Sequence, residues 1–160
     1  MKVYIKNKII SIGGSSQVLD ENKNPVYRVS GKIFSITHKK KIYDVDKNLL
    51  YVVKNKFWKF IFPSVFVLTA DGEKICRVKK KINLTNNYVV EGYKDEITID
   101  GSFWGIEMKI MRNGTQIGTL RRNITVIADS FELEGDAKDI PFLVALVIAI
   151  DNLQDKIRRF

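Results

Sequence analysis

The sequence predicts a mainly β protein: a closed antiparallel barrel of about twelve strands enclosing one hydrophobic C-terminal α-helix. Three observations predict it. From Ile140 to Ile150 the chain has no polar side chain. Residues 2–134 read as short alternating segments broken by turn residues at roughly eight- to twelve-residue intervals. Several of those segments repeat one layout, and repeated hairpins laid side by side must curl or close to protect their edges.

The helix is the element that decides the rest. Asp139 and Pro141 suit a helix start, an acid near the positive end of the dipole and a proline in the first turn. The helix is expected over about 139–156. Eleven apolar residues rise only about 16 Å as a helix, roughly half a bilayer core, so they read as a buried helix rather than a membrane span. A helix apolar on every side has to be wrapped on every side. Insertion of this helix into a membrane, with Lys156, Arg158 and Arg159 as a basic flank, is the competing reading. It would leave the barrel a hollow apolar interior.

The wrapping is the β region. Ile106–Ile110 and Phe131–Glu134 alternate most cleanly, so each should have one wet and one buried face. Gly13-Gly14, Asn22–Pro25, Asp71-Gly72 and Asn113-Gly114 read as turns. The repeat runs Asp20…Tyr27…Ile33, Asp46…Tyr51…Phe57, Asp71…Cys76…Ile82 and Asn113…Gly118…Ile124. Its units start about 25 residues apart, with a wider gap before the last that fits one more hairpin around Tyr88–Asp100. The aromatic run Phe57–Phe62 fits no strand cleanly and reads as a strand end and turn over the core. With no linker or composition shift, residues 1–160 are expected to form a single domain.

Order and spacing of several short motifs resemble the LURP-one-related/YxjI family. They are Tyr4–Lys8, Pro25–Ser35, Val78–Lys81, Ile99–Trp104, Ala128–Leu133 and the helix from Ala145 to Asp151. The fold of that family is similar to the C-terminal domain of tubby proteins and is predicted for phospholipid scramblases. The resemblance implies a barrel of about twelve strands around a hydrophobic helix, in agreement with the residue pattern. It implies no settled activity. Tubby domains bind phosphoinositides through a basic pocket, and no residue-by-residue match to that pocket exists here.

Composition narrows the function classes. A formal net charge of +9 attracts polyanions without choosing among lipid, nucleic acid and acidic protein. Lys39-Lys40-Lys41, Lys54/Lys56/Lys59, Lys79-Lys80-Lys81 and Arg121-Arg122 fall mostly at one place in successive repeats, so one end of the barrel is expected to collect them. The function read from them is non-enzymatic binding of anionic phospholipid headgroups or another polyanion. Lysines that keep strand edges apart, in a protein-interaction or scaffold domain, are the alternative.

Catalysis finds little to use. His38 is the lone histidine and lies beside Lys39 with no ligand-spaced partner, so a surface histidine and no metal site are expected. Cys76 sits at an apolar repeat position and reads as a structural thiol. Asp44/Asp46, Asp95/Glu96, Asp100 and Asp129 read as turn and strand-end caps. No phosphate-binding glycine loop occurs, and no cofactor is expected. Tyr4, Tyr27, Tyr43, Tyr51, Phe57, Trp58 and Tyr88 lie in strand patterns, and no nucleic-acid-binding signature accompanies them. A single cysteine and lysines that interrupt the first apolar run lead to the expectation of a cytoplasmic protein, peripheral to a membrane if it binds lipid.

Overall fold

The computed structural model describes residues 1–6, 15–31, 38–56, 63–81, 88–101, 107–123 and 130–158, with residues 123 and 155–158 described by backbone alone. The Gly13-Gly14 turn, the aromatic run at 57–62, Lys59 and Asp129 lie outside the described residues, as do the side chains of Lys156, Arg158 and Arg159.

The strands are β1 (Lys2–Lys6), β2 (Ser15–Asp20), β3 (Pro25–Gly31), β4 (Lys40–Tyr43), β5 (Leu49–Asn55) and β6 (Ser64–Thr69). Then follow β7 (Lys74–Lys80), β8 (Tyr88–Glu91), β9 (Ile97–Gly101), β10 (Glu107–Arg112), β11 (Thr115–Asn123) and β12 (Ser130–Gly135). Each strand pairs antiparallel with its neighbours in sequence, and β1 also pairs with β12, with Val3 opposite Leu133. The sheet is therefore a closed barrel, and closure leaves no unpaired edge. The helix α1 (Ile140–Arg158) fills it. The barrel and helix expected from the sequence are what the chain forms.

The turns explain why the hairpins repeat. At Asp20, Oδ1 accepts the backbone N–H groups of Asn22 at 2.9 Å and Asn24 at 2.8 Å. Asp44 repeats this role with Asn48, whose N–H donates to Oδ1 at 2.8 Å and whose side chain donates to Oδ2 at 2.9 Å. Thr69 takes the same place in the next unit, accepting from the Glu73 N–H at 3.1 Å. Three residues after each comes a left-handed backbone, Lys23 (φ 66°), Lys47 (φ 67°) and Gly72 (φ 90°). Registers shift just before these turns, at Val18/Leu19, Ile42/Tyr43 and Val67/Leu68. A tight turn followed by a left-handed residue and a bulge is a common hairpin closure, and it adds twist. The side-chain hydrogen bond from Asn48 holds the Asp44 carboxyl below its ordinary range.

These turns all lie at one end of the barrel, here the turn end. Five of its links carry two acids against one lysine: Asp20 and Glu21 with Lys23, Asp44 and Asp46 with Lys47, Asp71 and Glu73 with Lys74. Asp95 and Glu96 with Lys94, and Asp136 and Asp139 with Lys138, complete the pattern. The other end, here the far end, is where β4 begins and β5 and β7 finish.

The helix enters at the turn end. Phe142 to Ile150 are buried on every side, against inward residues that include Val3, Ile42, Val53, Val67, Val78, Ile99 and Leu133. Tyr93 stacks on Phe142 with ring centroids 4.6 Å apart, and Tyr51 meets the same ring at 6.4 Å, tilted. Asp139, just before the helix, accepts from Arg112 at 2.8 Å, and that contact raises the guanidinium pKa. The wall gives way beside Leu143. A Cβ on Gly118 would stand 2.9 Å from Leu143 Cδ1, and one on Gly135 would stand 2.8 Å from it and 2.7 Å from the Ile117 carbonyl oxygen. At Gly135 the backbone oxygen leaves room only for glycine, whereas at Gly118 a Cβ would require the Leu143 side chain to shift.

Candidate functional site

The lysine clusters lie towards the far end, but strand parity divides them. Along β4, alternate side chains face opposite sides of the wall. Lys40 therefore turns inward with Ile42, is 2% exposed, and places Nζ 2.9 Å from Asp151 Oδ2 on the helix. This corrects the expectation that Lys40 belongs to an anion-binding surface, because an interior carboxylate already holds its charge. Lys41, one residue on, faces out.

Outward from Lys41 runs a row set by register, with Lys41 opposite Val52 and Val52 opposite Leu68. Val52 is 7% exposed and Leu68 5%, although both lie on the outer wall. They floor a groove of about 280 Å³, edged by Lys39, Lys41 and Lys54 and completed by Leu49, Ala70, Asp71 and Gly72. The lysine stems can cover apolar floor while the ammonium groups stay wet. Beyond Lys54 the next row brings in Phe66, and Lys74 Nζ sits 4.5 Å from the centroid of that ring. Three cations against one carboxylate over an apolar floor can hold an anionic head with a greasy neck.

The other basic residues are placed elsewhere. Lys56 follows β5, half-buried, its backbone N–H bonded to the Ser64 carbonyl at 3.0 Å. Lys79 and Arg77 both pair with Glu91, and their hydrogen bonds lower that carboxyl's pKa, the Lys79 bond first. Lys80 is half-buried opposite Tyr88, and Lys81 is exposed just past β7. Arg121 donates to Glu107 at 2.8 Å and lies 3.6 Å from Glu134; the Glu107 bond raises its pKa. Arg122 is exposed on β11. The structure thus brings Lys39, Lys41 and Lys54 into one groove and leaves Lys56, Lys79, Lys80, Lys81, Arg121 and Arg122 outside it.

The floor residues were missed in the sequence, and a signal for them exists. Val52-Val53 and Val67-Leu68 put apolar residues on both faces of β5 and β6, breaking the alternation. An apolar outer face on a barrel strand marks a covered or occupied place.

Inside the barrel the upper helix is polar and satisfied. Besides Asp151, Asn152 donates to the His38 carbonyl at 2.9 Å and Gln154 donates to the Tyr88 hydroxyl. Gly31 opposite Lys40 leaves room for that side chain, since a Cβ there would stand 3.1 Å from Lys40 Cγ. His38 is half-buried with a left-handed backbone (φ 43°). Cys76 is buried as expected, and burial pushes its thiol up to about 12. It should therefore resist a thiol-specific reagent in the native protein at neutral pH and react fully once unfolded. Native labelling at a rate near that of a free thiol would contradict the burial.

A larger depression of about 800 Å³ lies at the turn end, bordered by Arg112, Asp139, Glu134, Asp136 and Lys138. Its charges are mixed and Arg112 is already paired, so it shows no preference for one sign of ligand. Among the described residues no group of His, Cys, Asp and Glu could hold a metal ion, and no helix is long and apolar enough to cross a membrane.

Comparison with known proteins supplies the family. No curated protein matches this chain. An X-ray structure of an Arabidopsis thaliana protein is similar at a TM-score of 0.62 and 13% identity, covering 94% of this chain and 90% of that one. The likeness carries the fold. A model of the LURP-one-related family matches residues 1–151, so the chain belongs to the LURP-one-related family.

Proposed function

We propose that residues 1–160 form one non-enzymatic, tubby-like binding domain that holds anionic phospholipid headgroups in the groove on β4, β5 and β6. One observation carries the reading: Lys39, Lys41 and Lys54 converge over the apolar floor of Val52 and Leu68. The ammonium groups take the phosphate oxygens, and the floor takes the glycerol and the first methylenes. Each basic group near an anionic surface contributes about 1 kcal/mol. Lysine ammoniums act as point charges without a planar fork, so the site suits clustered phosphates better than a single carboxylate.

The test is calorimetric titration with soluble inositol phosphates, alongside co-sedimentation with liposomes of different anionic headgroups at low and near-physiological salt. Saturable binding that survives salt, and falls at least tenfold in the variant K39E/K41E/K54E, is the expected result. Binding equal across headgroups and abolished by salt would reduce the groove to general electrostatics. No binding to either probe, with capture of an acidic peptide by the same lysines, would favour the protein-interaction reading.

A further inference from the structure

We infer that the whole barrel docks end-on against an anionic bilayer, its far end toward the lipid and its turn end toward water. The inference takes its choice of partner from the headgroup reading and shares Lys39 with it, but Lys6, Lys81 and Arg122 lie outside the groove. Lys6 on β1, Lys39 before β4, Lys81 after β7 and Arg122 on β11 are all exposed, and each lies at the far-end terminus of its strand. In the barrel order β1-β12-β11-β10-β9-β8-β7-β6-β5-β4-β3-β2 these positions are spread around the circumference. Lys6 is four strands round the barrel from β5 and Arg122 six, and neither lines the groove on β4 to β6. A rod such as a duplex needs a stripe of cations along one side. Cations placed around a rim meet a flat anionic surface together. The β9–β10 sector interrupts the rim, carrying Asp100 and Glu107.

The opposite end has the opposite sign. There five of the links each carry two acids against one lysine, the Asn113-Gly114 link being the exception, and Asp20 and Asp44 spend their carboxylates on turn amides. Strands of about six residues hold the two ends roughly 20 Å apart. That is about twice the screening length at physiological salt, so the bilayer field acts on the near rim and hardly on the far one. The attraction is therefore strongest with the cationic end down. The helix then points along the membrane normal, with its C-terminal half nearest the lipid.

The test compares vesicles of phosphatidylserine and phosphatidylcholine with a soluble inositol phosphate. In K6Q/R122Q, vesicle affinity should fall roughly fivefold for each cation removed, while affinity for the soluble headgroup stays unchanged. A fluorophore is then attached through K81C or, separately, E73C, with the buried Cys76 silent. A lipid-borne quencher should dim the first label and spare the second. Equal quenching of both labels, or K6Q/R122Q binding vesicles as the wild type does, would overturn end-on docking. Headgroup binding without rim dependence would leave the groove standing and remove the orientation. Rim dependence without headgroup binding would do the reverse. Binding of duplex RNA in place of vesicles, with the same rim dependence, would overturn the choice of partner.

Discussion

Leu146→Asp should abolish folding of the entire chain. Leu146 is fully buried in the middle of a helix that touches β5, β6, β7 and β12, so no nearby surface can take the new carboxylate. Removing a buried leucine side chain costs about 2–5 kcal/mol, and an unpaired interior charge several more. A typical domain has about 5–15 kcal/mol in total. The two losses together are therefore on the order of the whole stability. Circular dichroism and size-exclusion chromatography should show loss of the native β spectrum and an expanded or aggregated species. Ile148→Asp should behave alike, whereas Lys109→Ala, at a side chain 57% exposed, should melt like the wild type. A cooperative melt with a native spectrum in Leu146→Asp would mean the helix is not the core.

The second large effect belongs to the interior ion pair. Lys40 and Asp151 have side-chain exposures of 3% and 9%, so solvent does little to screen either. Removing Lys40 alone takes from the buried Asp151 carboxylate the cation it faces at 2.9 Å, and removing Asp151 alone leaves the buried ammonium without that carboxylate. Each single change, Lys40→Met or Asp151→Leu, should cost about 3–5 kcal/mol. At about 2–4 °C per kcal/mol for a chain of this size, the midpoint should drop by roughly 6–20 °C. The double variant should recover most of that, because both desolvation costs disappear together. Urea titration of the four proteins reads the coupling directly. If the double variant is as unstable as the sum of the singles, the pair contributes nothing as a pair.

These two residues also show how much the sequence makes legible. The apolar helix could be read because its own eleven residues state the requirement: nothing polar from Ile140 to Ile150. The polar turn that follows could not. Asp151, Asn152 and Gln154 look like the start of a solvated helix end, yet all three are buried. Their partners are Lys40, the His38 carbonyl and Tyr88, more than sixty residues away in the chain. Long-range satisfaction of this kind leaves no local periodic trace.

The basic clusters were legible as to end and not as to face. Equivalent positions in repeated hairpins arrive at the same end of a meander, and that much about the lysines follows from the repeat alone. Which side of the wall each one takes depends on register, and a shift of one residue reverses it. Lys39-Lys40-Lys41 is therefore a run whose middle member had to face inward once its neighbours faced out. The bulges at Ile42/Tyr43 and Val67/Leu68 add to the difficulty, since each resets the parity of its strand.

Closure has a consequence for how the protein is made. Strand β1 is made before every other strand of the barrel, and it pairs with β12, the last strand to be made. The helix that fills the interior comes later still. Until then the nascent chain is a meander with two bare edges and an uncovered apolar face. That combination recruits chaperones and favours pairing between neighbouring chains. The strands cannot be stabilised piecemeal, because their core is a single element that follows all twelve of them. The closed, filled barrel therefore cannot form until α1 has been made.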